Sequence, residues 1–169
     1  MEIFTIENKK QEWFLRQKAA LFDFAKFSRT EITRLLKDMR ETMRRAPGVG
    51  LSANQVGLPY RIFVAQVQRK FYAIFNPEII THSNEREALE EGCLSVPKTY
   101  GTVERSLRVD LRGFDRYGKP LRIKAIGLLA RVFQHEVDHL DGKLFIDMAK
   151  DIHVISGSAT SGDSQQATS

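Results

Sequence analysis

Between Phe27 and Gly50 the apolar residues Ile32, Leu35, Leu36, Met39 and Met43 recur every three or four positions, with charged residues between them. Residues at that spacing share one face of a helix, so the segment predicts an amphipathic helix with a core-facing stripe. Ser28 and Glu31 fit a capping box at its start, and Pro47-Gly48 marks its end. Beyond the glycines the pattern changes. "RIFVAQV" and "FYAIFNP" are rich in β-branched and aromatic residues, as strands are. "SLRVDLRGFDRYGKPLRIKAI" alternates on both sides of "RYGKP", which predicts a hairpin turning at Tyr117-Gly118. "GLLARVFQHEVDHLDG" returns to helical spacing, with Leu128, Val132, His135, Glu136 and His139 on one broad face and Gly142 at the C-cap.

Helix, strands, then a helix is an α+β order rather than alternating βαβ. A chain of 169 residues makes about one domain. The reading is a single α+β domain over residues 1–150, with antiparallel strands packed around a C-terminal helix. Residues 151–169 are read as a polar tail. Its last stretch, "SGSATSGDSQQATS", is small and polar without apolar periodicity, so disorder is expected there.

Composition narrows the function classes. Hydrophobic content of 42% and charged content of 28% are those of an ordinary globular domain. No apolar run approaches the roughly 20 residues that a membrane helix needs. "MEIFTIENKKQEW" has no signal-peptide or transit-peptide character, and a single cysteine suits a reducing compartment. The expected location is the cytoplasm. The net charge of +5 raises the question of nucleic acid. Its lysines and arginines are interleaved with acids, as in "KDMRETMRR", and no RNA-binding motif is present. A solvated surface accounts for the charge.

The chemistry sits in "QHEVDH". His135 and His139 lie one turn apart on the same helix face, where two imidazoles can share one metal ion, and Glu136 lies beside them. Chance alone produces H-E-x-x-H in well under roughly one such chain in a hundred. A third ligand is needed, and Cys93 in "EEGCLSVP" is the candidate. A lone cysteine is more often a small buried hydrophobe. Here Gly92 and "LSVP" suggest a tight backbone approach at a strand edge. Two histidines and a cysteine leave one tetrahedral position open, as catalytic zinc-type sites do. Glu136 would then move the proton of an activated water to a leaving amine. "GVGLSANQVG" lacks the Lys-Ser/Thr of a phosphate loop, but its Gln55 can offer an amide N–H to a developing oxyanion.

"GVGLSANQ", "EGCLS" and "QHEVDHLDG", in that order, resemble the three signature motifs of peptide deformylases. The resemblance runs over roughly residues 14–149 and includes "FLRQKA" and "GFDRYGKP". It implies a hydrolase that removes the formyl group from the N-terminal formyl-methionine of newly made polypeptides. It further implies one divalent ion, ferrous iron first and Zn²⁺, Ni²⁺ or Co²⁺ as substitutes, on Cys93, His135 and His139. Glu136 would be the acid/base, and the Gln55 side chain with the Leu94 N–H would hold the oxyanion. Backbone around Val49, Gly50 and Gly92 would pair with the substrate as an added strand. Leu89 and Val132 would wall the methionine pocket. The expected partners are formyl-methionyl peptides and, transiently, the ribosome, with a monomer as the working unit.

Two positions depart from the motifs. Ser52 stands where alanine is usual, a small change expected to be tolerated. Tyr100 stands where several members have arginine, which leaves peptide contacts beyond methionine open. Two rival classes remain. A zincin-type protease takes its third ligand downstream of the histidine helix, where this chain has only His153. A structural metal module would close the site with a fourth protein ligand.

Overall fold

The computed structural model describes residues 1–155. The elements run α1 (Lys9–Leu15), α2 (Arg29–Arg45), β1 (Gly50–Ser52), β2 (Ile62–Val67), β3 (Lys70–His82), β4 (Arg86–Cys93), β5 (Val96–Ser106), β6 (Arg108–Phe114), β7 (Pro120–Ile126), α3 (Leu128–Leu140) and β8 (Lys150–Val154). Short 3-10 turns cover Phe24–Lys26, Ala53–Val56 and Phe145–Asp147.

α2 starts as its sequence predicts. The Ser28 hydroxyl accepts from the Glu31 N–H, and the Glu31 carboxylate accepts from the Ser28 N–H. Ile32, Leu36, Met39 and Met43 are buried. They pack with Leu51, Ile62, Val64 and Phe75 against one face of a sheet ordered β1-β2-β3-β6-β7. The opposite face, with Phe63, Ala65, Ile74, Val109 and Leu111, takes Ala130, Phe133, Val137 and Leu140 of α3. Alternate residues of β2 therefore enter different cores, which explains why "IFVA" is apolar at every position.

A second sheet, ordered β4-β5-β8, stands over the exposed flank of α3. β4 was not legible as a strand. "REALEEG" is built of helix formers, yet it pairs with β5 from Arg86↔Ser106 to Gly92↔Tyr100. β8 also departs from the reading. Its residues pair with β5 at Thr99↔Val154 and Tyr100↔His153, so an ordered strand crosses the expected boundary at residue 150. The stretch from 156 to 169, read as disordered, lies outside the described residues.

Between β6 and β7 the Asp115 carboxylate accepts from the Tyr117 and Lys119 N–H groups, forming the expected hairpin turn. After α3, Gly142 has φ +75°, and a β-carbon there would sit 2.3 Å from the Arg16 carbonyl oxygen. At the N-terminus, the Phe4 N–H donates to the Gln55 carbonyl (2.8 Å) and the Ile6 N–H to the Ser95 carbonyl (3.0 Å). That segment joins the loop after β1 to the loop after β4.

Candidate active site

α3 carries His135 and His139 one turn apart, and β4 ends at Cys93 directly opposite. The sheet on α3 fixes the helix, and the β4–β5 ladder fixes the strand end. Cys93 Sγ lies 3.1 Å from His139 Nε2, which lies 3.2 Å from His135 Nε2. Among the described residues these three are the only such cluster, and their ligand atoms fall within 4.8 Å of one another. His153, the downstream histidine that a zincin reading would need, lies elsewhere. It stacks on Tyr100 and faces Glu90 at 3.5 Å.

The chemistry of this donor set suits a divalent cation. Burial pushes the Cys93 thiol up, but the imidazoles of His139 and His135 outweigh it and draw the thiol well below its ordinary value. Burial pushes His135 down, yet hydrogen bonds to Cys93 and Glu91 raise it to about 10. The cluster therefore gathers positive charge between a thiolate and two imidazole nitrogens. A divalent cation there would take the place of that positive charge.

His135 is aimed from behind. Its Nδ1 lies 3.0 Å from Glu91 Oε2, which directs Nε2 toward Cys93. Glu91 in turn accepts from Arg105 Nε (2.6 Å), Arg105 Nη2 (2.9 Å) and Arg131 Nη1 (2.7 Å). Arg105 also donates to Asp138 at 2.7 Å, while Arg131 donates to the Val103 and Glu87 carbonyls. Burial pushes the Glu91 carboxyl up, but the bonds from His135 and Arg105 win and hold it at about 2. None of Glu91, Arg105 and Arg131 stood out in the sequence. The available signal was the spacing of Glu91 and Cys93, which puts both on one face of β4.

Gln55 and Glu136 flank the cluster. The Ser52 N–H donates to Gln55 Oε1 at 2.9 Å, so the amide nitrogen faces Ser95 Oγ (3.1 Å) and Cys93 Sγ (3.5 Å). Glu136 is buried, and burial raises its carboxyl despite both histidines and Ser52. Among the described residues, Asn54 Oδ1 and His139 Nδ1 are buried side-chain atoms without a hydrogen-bond partner.

A cavity of about 520 Å³ opens over these groups. Val49, Gly50, Gly92, Leu94 and Val132 line it with Gln55, Cys93, His135 and Glu136, bringing together most residues singled out from the sequence. Leu89 is 45% exposed and precedes Cys93 by four residues on β4, on the strand face that also carries Glu91. Leu128 and Arg131 of α3 also line the cavity, as does Tyr100, which lies against Gly92.

Known proteins are similar to this chain in sequence and in fold. The family model for polypeptide deformylase matches residues 1–154. A peptide deformylase of Pelotomaculum thermopropionicum is 49% identical over 121 residues, covering 72% of this chain and 77% of that protein. A crystal structure of a Synechococcus elongatus peptide deformylase in complex with actinonin has a TM-score of 0.81 at 34% identity, covering 89% of this chain and 79% of the other. A Met-Ala-Ser-bound structure of a class I type b peptide deformylase from Acinetobacter baumannii has a TM-score of 0.79 at 30% identity, covering 87% and 96%. Fold, motifs and site geometry converge, and the chain belongs to the polypeptide deformylase family.

Proposed function

We propose that the cavity over Cys93, His135 and His139 is where this hydrolase removes the N-terminal formyl group from newly made polypeptides. The activity is that of the family, whose members are metal-dependent. The observation that carries the site assignment is the convergence of three ligand atoms beside Gln55 and Glu136 in one cavity.

Cys93 Sγ and the Nε2 atoms of His135 and His139 would hold the ion. When bound, it supplies Lewis acidity that polarises the formyl carbonyl and brings the pKa of a water toward neutrality. The other groups each do part of the work. Glu136 takes the proton of the attacking water and delivers it to the amide nitrogen as the carbon–nitrogen bond breaks. Its raised proton affinity suits a group that must accept and then release. The Gln55 amide and the Leu94 N–H donate to the formyl oxygen as it gains negative charge. Val49, Gly50 and Gly92 offer backbone to an extended peptide. Leu128, Arg131 and Val132 bound the space for the methionine side chain. The Met-Ala-Ser complex of the Acinetobacter enzyme supports a methionyl peptide as the occupant.

Ferrous iron is the proposed resident ion, with Zn²⁺, Ni²⁺ and Co²⁺ compatible with the same donors. The working unit is a monomer in the cytoplasm, in transient contact with the ribosome that presents its substrate. No helix among the described residues is long and apolar enough to cross a membrane. The decisive experiment incubates anaerobically purified protein with a formyl-Met-Ala-Ser peptide and measures formate and bound metal together. Stoichiometric metal without formate release overturns the activity. Formate release unaffected by chelation overturns the metal site.

A further inference from the structure

Ser52, the residue that departs from the first motif, is buried at the end of β1 and touches the proton carrier. Its hydroxyl lies 2.7 Å from Glu136 Oε2 and 2.9 Å from the main-chain oxygen of the same residue. One hydroxyl thus bridges the two ends of a single glutamate, which restrains the three torsions between them. The other carboxylate oxygen faces Gly50. A β-carbon on Gly50 would sit 2.1 Å from Glu136 Oε1, so the bare glycine leaves that oxygen its space on the cavity wall.

We propose that Ser52 is a positioning residue for the reaction: its hydroxyl pins Oε2 so that Oε1 alone carries the proton. Oε1 takes a proton from the attacking water and gives it to the departing amide nitrogen, while the hydroxyl proton never leaves Ser52. Oε2 accepts from that hydroxyl throughout, as a carboxylate oxygen before the transfer and as the carbonyl oxygen of the carboxylic acid during it. The same residue serves the oxyanion side by a different atom, because its main-chain N–H fixes Gln55. Alanine at position 52 therefore removes one function and keeps the other.

The inference rests on Glu136 being the proton carrier, and the test separates the two. Steady-state kinetics on a formylated tripeptide compare wild type, Ser52→Ala, Glu136→Gln and the double variant, with metal content and melting temperature measured for each. Ser52→Ala should lower kcat about ten- to thirtyfold, as loss of a charge-assisted hydrogen bond implies, with KM and metal content unchanged. In the Glu136→Gln background, where no carboxylate remains to be aimed, the same change should cost nothing further. A crystal structure of Ser52→Ala should show the Glu136 carboxylate turned away from Gly50. An unchanged kcat, a loss confined to KM or metal, or an equal fold-loss in both backgrounds overturns the proposal. Near wild-type turnover by Glu136→Gln overturns the assignment of Glu136 itself, a separate result.

Discussion

Replacing Glu91 by glutamine keeps its shape and removes its charge, at the point where two buried guanidinium groups and His135 meet. The side chain is 6% exposed, so solvent does little to screen the change. One oxygen becomes an NH₂ group, which must then face Arg105, Arg131 or the His135 N–H, donor against donor. Breaking a buried pair by removing one partner costs about 3–5 kcal/mol. The lowered proton affinity of Glu91, set by the same contacts, points the same way. A fall from 4.5 to about 2, at about 1.4 kcal/mol per tenfold, corresponds to roughly 3 kcal/mol. For a depressed carboxyl this stability is present above pH 4.5 and is lost as pH falls toward about 2. Urea unfolding at equal metal loading should therefore show Glu91→Gln about 3–5 kcal/mol weaker at pH 7, or roughly 6–20 °C lower in Tm. The variant should also lack the part of the acid sensitivity that wild type shows between pH 4.5 and 2. Because Glu91 aims His135, metal affinity should fall about 10–100-fold. A loss below about 1 kcal/mol, or an unchanged acid slope, refutes the reasoning.

Other perturbations act on single functions. Glu136→Gln should keep its metal and lose about 10²–10⁴-fold in kcat; formate-release kinetics with metal analysis check this. Gln55→Ala should lower kcat far more than it raises KM, at about 2.7–4 kcal/mol of transition-state stabilisation. Cys93→Ser should retain much less metal than wild type after identical dialysis, since a neutral hydroxyl replaces a thiolate. Gly142→Ala should destabilise by more than about 1 kcal/mol in chemical denaturation. The φ of +75° and the Arg16 carbonyl 2.3 Å away both oppose a β-carbon.

What the sequence revealed was what local spacing encodes. The α2 stripe, its cap, the Tyr117-Gly118 hairpin and the His135–His139 pair each depend on neighbours within a few residues. Cys93 and Gln55 were legible because their motifs are specific. β4 was hidden because its helix-forming residues are overruled by a partner strand, a tertiary effect that propensity does not contain. α1 was missed because seven residues are too few to show periodicity. Glu91, Arg105 and Arg131 look like surface charges in one dimension. Only the fold shows that β4, β5 and α3 bring them into one buried network.

The N-terminal seam has a consequence in time. Phe4 and Ile6 are synthesised before Gln55 and Ser95, on which they close, and the cluster they help to frame waits for His139. At about 5–20 residues per second, a ribosome takes roughly 7–27 s to go from Phe4 to that histidine. The N-terminal segment gains Gln55 and Ser95 within that interval, but no earlier fragment of the chain contains Cys93, His135 and His139 together. No molecule can act on the start of another before its own His139 is in place.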